Sequence, residues 1–256
     1  MEQTKKVLEV RNLTKVFGNK QAVKFTAVDH IHFSLYQGEC LGLIGESGSG
    51  KSTTVSMITR LLDATEGQIL MNGNDITHLK GRKLREVYKE IQMVFQMPTE
   101  SFDPRCTLGD GIVESLRNQG LSKKDAREEG IKLLKRCGLS EEYFDRYPHE
   151  VSGGQCQRAA IARALAIHPK ILIFDEATSA LDVTIQKEII DLLRELKQSN
   201  QELSILFICH DIALVQQICD RVLVMYQGSI VEEGMVDEVI RNPKAAYTMR
   251  LMESVL

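Results

Sequence analysis

The run Gly45-Glu46-Ser47-Gly48-Ser49-Gly50-Lys51-Ser52 places a lysine and a hydroxyl directly behind a glycine-punctuated loop, in the pattern G-x-x-x-x-G-K-[ST]. The glycines let backbone N–H groups curl around phosphate oxygens, Lys51 reaches the outer oxygens, and Ser52 offers a hydroxyl to Mg²⁺. A chance match in a chain of this length is on the order of 1%, and the flanking sequence argues further against chance. The apolar run Cys40–Ile44 leads in, and a helical run leads out with its positive end toward the anion. Such a loop needs a carboxylate at the end of a neighbouring strand to hold the metal. Ile171-Leu172-Ile173-Phe174-Asp175 supplies it: Asp175 is expected near Mg²⁺ through water, and Glu176 faces the terminal phosphate and polarises the attacking water. Val151-Ser152-Gly153-Gly154-Gln155 opens a long helix and makes a second anion-binding helix start. One nucleotide cannot easily use both starts from the same subunit, so the second serves a nucleotide held by a partner.

The elements that must position these groups alternate between strand and helix. Residues 7–36 read as strands, with Ile31, Phe33 and Leu35 alternating with His30, His32 and Ser34 at the period of a half-buried strand. Cys40–Ile44 reads as a short buried strand, 53–62 as a helix, and 67–71 as a strand turning at Asn72-Gly73. From about 105 to 165 the texture is helical, including a charged start at Ser122 and a stop at Gly138. The runs 171–174 and 204–208 are buried strands separated by a helix at 185–198, which indicates a parallel α/β core. The stretches 222–226 and 229–233 around Gly228 read as a last hairpin.

These segments, in this order and spacing, resemble the ABC transporter ATPases over essentially the whole chain: 45–53, Gln96, 151–155, 171–176, Ser179-Ala180-Leu181-Asp182 and His210. The resemblance implies a P-loop NTPase fold of α/β class, with a RecA-like core, an antiparallel β subdomain and an inserted α-helical subdomain. On that pattern 1–256 is a single ATPase domain, with 1–95 and 166–256 forming the core and β subdomain, and about 97–165 the helical subdomain. It implies ATP and Mg²⁺ as ligands. Carried over by position, Thr53 closes the phosphate loop and Gln96 senses Mg²⁺ and couples to a membrane subunit. Ser152, Gly153, Gly154 and Gln155 form the signature that contacts the opposite subunit's nucleotide. Asp182 falls at the dimer seam, His210 near the γ-phosphate, and Phe17 stacks on adenine. Val151 stands where leucine is usual, and Cys156 occupies a variable position; neither change removes a phosphate-contacting group.

A narrower resemblance, carried by Gln92-Met93-Val94-Phe95-Gln96, Ser101-Phe102-Asp103-Pro104-Arg105, Asn242-Pro243 and Ala246-Tyr247-Thr248, points to the peptide/nickel importer branch. It implies a second ATPase subunit, identical or not, two transmembrane permease subunits and an extracytoplasmic solute-binding protein. The expected place is the cytoplasmic face of the cell membrane, held there by the permeases. Peptide members often carry a cysteine-rich extension, and its absence before Leu256 tilts the expected cargo from peptide toward nickel. An exporter motor, or a non-transport ABC ATPase acting on nucleic acid, is the alternative. The latter usually inserts coiled coils or a zinc module before the signature, whereas about a hundred residues without heptads separate Lys51 from Ser152. A metabolite kinase would have no use for 151–155.

Composition agrees with these readings. The chain has 256 residues, an apolar fraction of 43% and a formal net charge of −3, which suit a folded globular protein and argue against nucleic acid as partner. The six cysteines form no C-x-x-C and read as reduced thiols, Cys40 and Cys209 as small buried hydrophobes. No apolar run approaches the ~20 residues that span a bilayer, and the first residues do not read as a signal peptide. His30-x-His32 lacks a third ligand within sequence reach and reads as a solvated strand face.

Overall fold

The computed structural model describes residues 5–18, 24–177 and 181–253. In chain order its strands and α-helices are β1 (Lys6–Phe17), β2 (Phe25–Tyr36), β3 (Cys40–Ile44), α1 (Lys51–Ile58), β4 (Glu66–Met71), β5 (Asn74–Asp75), α2 (Gly81–Glu90), β6 (Ile91–Val94), α3 (Leu108–Asn118), α4 (Lys123–Arg136), α5 (Gly153–Leu165), β7 (Ile171–Asp175), α6 (Val183–Ser199), β8 (Ser204–Ile208), α7 (Ile212–Ile218), β9 (Arg221–Tyr226), β10 (Ser229–Met235), α8 (Val236–Arg241) and α9 (Ala246–Glu253). They form an antiparallel sheet, β2-β1-β4-β5, and a six-stranded sheet, β10-β9-β3-β8-β7-β6. In the second sheet β9, β3, β8, β7 and β6 run parallel and β10 closes the edge antiparallel. The architecture is the expected P-loop α/β core with an antiparallel β subdomain and an inserted helical one.

Successive side chains of a strand face opposite sides of the sheet, so a strand covered on both faces must be apolar throughout. β3 meets that condition with five buried residues. Leu41 and Leu43 enter one apolar cluster with Val55, Met57 and Ile58 of α1 and the inner face of the antiparallel sheet. Cys40 and Ile44 enter the other, which the helices α3 to α9 build. The same division sends Ile171 and Ile173 to the first cluster and Leu172 and Phe174 to the second. The six-stranded sheet is thus the shared wall between two cores, and its strand ends are held rigidly.

Two helix boundaries differ from the sequence reading for local reasons. α1 begins at Lys51 because Gly50, at φ 108, takes the capping position. It ends at Ile58 because Arg60 adopts a left-handed backbone and its N–H returns to the Met57 carbonyl at 3.0 Å. The segment α2–β6 is unassigned in the sequence reading, although Leu84, Val87, Tyr88 and Ile91 recur at helical spacing on its inward face. All six cysteines are free, and five are buried. His30 and His32 are exposed, and among the described residues no group of three or more His, Cys, Asp or Glu is disposed to hold a metal ion. Nor is any described helix long and apolar enough to cross a membrane.

Candidate active site

The loop after β3 turns back on itself at once. Gly45 has φ 150, and a Cβ there would lie 2.1 Å from the Met225 carbonyl oxygen of β9, so only glycine lets the chain pass. Gly50 is similarly closed in, its Cβ position 2.5 Å from the Ala27 carbonyl oxygen. Ser49 donates its N–H to the Glu46 carbonyl at 3.2 Å. Lys51, the first residue of α1 and only 4% exposed, curls across the loop. Its Nζ donates to the carbonyl oxygens of Gly45 at 2.7 Å and Glu46 at 2.9 Å. Burial pushes the Lys51 ammonium down from its ordinary pKa, while the carboxylates of Glu176 and Asp175 pull the other way. Phosphate oxygens are stronger acceptors for an ammonium than neutral carbonyls are. No side chain caps α1 at Gly50, so its first-turn amides, beside the exposed Ser52, keep their donors for an anion.

The two carboxylates stand at the end of β7. Asp175 pairs in register with Ile208 of β8, and the Glu176 N–H donates to the Ile208 carbonyl at 3.0 Å. Glu176 then takes φ 49, a conformation that costs a non-glycine residue about 1–2 kcal/mol. The result is a side chain whose Oε1 lies 3.9 Å from Lys51 Nζ. Asp175 is raised above the ordinary carboxyl pKa by burial first and by the adjacent Glu176 charge second, against the pull of Lys51 and a hydrogen bond from Ser52. Its Oδ1 is buried without a hydrogen-bond partner. A buried, uncompensated carboxylate oxygen is what a divalent cation would relieve. Oxygen donors gather around it: Ser52, Gln96, Glu100 and Asp175 line one cleft of about 470 Å³ together with Phe95 and Met97. Oxygen donors of this kind suit Mg²⁺.

Gln96 reaches that cleft because β6 runs parallel to β7, Val94 opposite Phe174. His210 follows β8, the strand between β3 and β7, and is exposed. The Cys209 N–H donates to the Leu43 carbonyl at 3.3 Å and ties its segment to the strand that leads into the loop 45–50. Four parallel strands thus deliver Lys51, His210, Asp175 with Glu176, and Gln96 to one edge of the sheet, the carboxyl edge where α/β proteins bind ligands. Phe17 ends β1 with its ring 41% exposed and Lys15 Nζ 5.2 Å from the ring centroid.

The second glycine-bearing helix start, at Ser152, stands apart. Ser152 caps α5 reciprocally with Gln155: Ser152 N–H donates to Gln155 Oε1 at 2.9 Å, and Gln155 N–H to Ser152 Oγ at 3.3 Å. The Gln155 amide also donates to the Tyr143 hydroxyl at 2.8 Å. Ser152 and Gly153 are exposed, whereas Gly154 is buried against Ile185 of α6. The helix therefore starts at Gly153, within the run that was expected to open it. Asp182 caps α6 through a 3.0 Å bond from Ile185 N–H, and Val183 beside it is 80% exposed. Ser179 and Ala180 lie outside the described residues. Among the described residues no hydrogen bond or ion pair joins Ser152–Gln155 to Lys51 or the loop 45–53. The Cys156 thiol faces inward and is pushed up to about 11 by burial.

One contact of the loop escaped sequence reasoning. The Tyr247 hydroxyl of α9 accepts the Glu46 N–H at 3.0 Å. In the sequence Tyr247 stands out only within the run Ala246-Tyr247-Thr248, and nothing there joins it to Glu46, 201 residues away.

Residues 28–179 match the model of the ABC transporter family. The oligopeptide transport ATP-binding protein OppF of Salmonella typhimurium is 45% identical over all of this chain and 79% of its own length. OppF of Bacillus subtilis is 45% identical over 98% of this chain and 83% of its own length. The glutathione import ATP-binding protein GsiA of Escherichia coli is 48% identical over 97% of this chain, which spans only 41% of that longer relative. Among solved structures, cbiO1 from Clostridium perfringens, part of the ABC transporter complex cbiONQ, superposes with a TM-score of 0.82 at 30% identity, over 93% of this chain and 92% of its own. A dimeric ATP-binding cassette in a post-hydrolysis state with ADP and Pi gives 0.81 at 28% identity, over 90% and 98% of the two chains. The chain belongs to the ABC transporter family, as an ATP-hydrolysing cassette.

Proposed function

We propose that this cassette hydrolyses Mg-ATP between two subunits and so drives a membrane importer of short peptides. The observation that carries the reading is the separation of two anion-binding helix starts, α1 behind Lys51 and α5 behind Ser152, in a chain whose strand ends already assemble a metal-binding carboxylate and a base. Lys51 leaves its two carbonyls for the phosphate oxygens, and the amides of 47–53 hold the β-phosphate. Ser52, Asp175 and Gln96 hold the metal. Mg²⁺ bound there supplies charge neutralisation on the transferring phosphoryl group. Glu176 polarises the attacking water, with His210 beside the terminal phosphate. Phe17 stacks on adenine. Ser152, Gly153, Gly154 and Gln155 act on the partner's nucleotide, and Asp182 lies at the seam. The segment of about 97–165 moves on closure and relays the nucleotide state to a permease from Gln96.

The partners in this reading are a second ATPase subunit, two permeases and a solute-binding protein, with this chain on the cytoplasmic face of the membrane. The names of the relatives, oligopeptide and glutathione transporters, move the cargo from nickel toward peptides. The test is deletion of the gene and measurement of uptake of a toxic tripeptide and of radiolabelled nickel. Loss of peptide uptake, restored by the wild type and not by Glu176→Gln, is expected. Loss of nickel uptake with peptide uptake intact would overturn the cargo, and impaired efflux with both uptakes intact would overturn the importer.

A further inference from the structure

We infer that Tyr247 is a positioning residue of the nucleotide site: its hydroxyl fixes the Gly45–Glu46 peptide plane and makes docking of the C-terminal helix part of ATP affinity. The inference rests on the reading of residues 45–53 as the nucleotide loop. In a trans peptide the C=O and N–H point in opposite directions, and none of the described peptide bonds is cis. The Gly45 carbonyl accepts Lys51 Nζ at 2.7 Å, and the Glu46 N–H of the same peptide unit donates to Tyr247 at 3.0 Å. The plane at the mouth of the loop is thus pinned from both sides, by a residue of the loop's own helix and by one from the far end of the chain.

The second pin is itself firmly held. Tyr247 is 5% exposed, and its ring stacks on Tyr226 with centroids 4.2 Å apart and an interplanar angle of 26°. Tyr226 ends β9, the strand beside β3 in the sheet, so the platform and the phosphate loop share one rigid neighbour. The chain entering α9 is clamped as well: the Glu232 carboxylate of β10 accepts the N–H groups of Lys244 at 2.8 Å and Ala245 at 2.9 Å. A carboxylate at a helix start is also favoured by the helix dipole. The hydroxyl is therefore placed by two neighbouring strands of the sheet, β9 and β10, rather than by a loose tail.

The two pins do not respond alike to nucleotide. Lys51 must release the Gly45 and Glu46 carbonyls to reach phosphate oxygens, and Gly45, without a side chain, then has the greatest freedom to rotate. From that point Tyr247 holds the plane alone. Its bond counts for more in the nucleotide-bound loop than in the free one, which is the condition for an effect on affinity rather than on folding.

The test is Tyr247→Phe, which keeps the ring and the stack and removes the hydroxyl. Binding of a fluorescent ATP analogue, KM and kcat for ATP, and melting without nucleotide are measured beside the parent and Lys51→Ala. A typical net hydrogen bond predicts Kd and KM raised roughly 3- to 10-fold. The kcat should stay within about twofold, and nucleotide-free melting should fall by no more than about 6 °C, the scale of one net hydrogen bond in a chain of this size. An unchanged Kd, or a fall in nucleotide-free melting beyond that scale, would overturn the inference. Parent-like binding by Lys51→Ala would instead overturn the reading of the loop on which it rests.

Discussion

Gly154→Ala isolates the link between the signature helix and the helix behind the seam. The residue looks like part of an exposed anion-binding turn, yet an added Cβ would point inward, 2.5 Å from Ile185 Cγ2 and 3.3 Å from its Cδ1. Carbon atoms settle at about 3.5–4.0 Å, so one of the two helices has to move by roughly an ångström. Ile185 has little room to yield. Its backbone is tied by the bond to Asp182, and a β-branched residue in a helix has one strongly preferred χ1 rotamer. Overpacking of this kind costs about 1–3 kcal/mol, which in a chain of this size lowers the melting point by roughly 2–12 °C. Binding of ATP to isolated subunits should be unaffected, because Gly154 does not touch the loop that holds Lys51. Steady-state ATPase should fall, since the caps Ser152 and Asp182 are displaced together. Ile185→Ala removes the obstructing carbons, so the double variant should recover about 1–3 kcal/mol relative to the sum of the single changes. Denaturant unfolding of the four proteins measures that coupling. Additivity within about 0.5 kcal/mol would refute the packing argument, and loss of ATP binding by isolated Gly154→Ala subunits would refute the assignment of the two sites.

Three further outcomes follow from the same geometry. Ser152→Arg should leave nucleotide binding by its own subunit nearly intact and block hydrolysis in the partner's site; mixed with Lys51→Ala protein it should regain ATPase activity, because one of the two composite sites then carries both lesions. Asp175→Asn should melt higher than the parent at neutral pH in the presence of a chelator. The folded Asp175 carboxyl titrates above the ordinary value, so its ionised form weakens the metal-free fold as pH rises through that pKa, and the advantage of Asn should shrink as pH falls toward 3.8. Mg-ATP should reverse the order by stabilising the parent and not the variant, as followed by differential scanning calorimetry. Phe17→Leu should weaken ATP binding by roughly 1 kcal/mol, the scale of one aromatic contact, and leave binding of inorganic triphosphate unchanged in a competition titration.

The glycine-rich loop 45–52 was legible because its constraints are local: the glycines, Lys51 and Ser52 act within eight consecutive residues, and the buried strand before them announces itself by composition. The parallel core was legible for the same reason, since strands covered on both faces are apolar along nearly their whole length, as Cys40–Ile44 is throughout and Ser204–Ile208 is after its first residue. What depended on distant partners was not. β6 has only four residues, too few for a periodic signature of its own, whereas α2 does show one in Leu84, Val87 and Tyr88 and the sequence reading passed over it. The left-handed backbone of Glu176 follows from its bond to Ile208 on the next strand, a pairing that no local rule predicts. The family resemblance located Gly154 among the signature residues, and only the packed structure reveals that its missing side chain makes room for Ile185.

The central claim is that two copies of this cassette, or this one and a second, close around ATP and reopen when Glu176 polarises the attacking water. The direct measurement is Glu176→Gln, assayed for steady-state ATPase, for ATP affinity and for size by light scattering with and without Mg-ATP. Loss of the base should slow turnover by about 10²- to 10⁴-fold, leave ATP affinity close to the parent's, and double the apparent mass only when nucleotide is present. Turnover within a few-fold of the parent, or a mass that ATP does not change, would contradict the account.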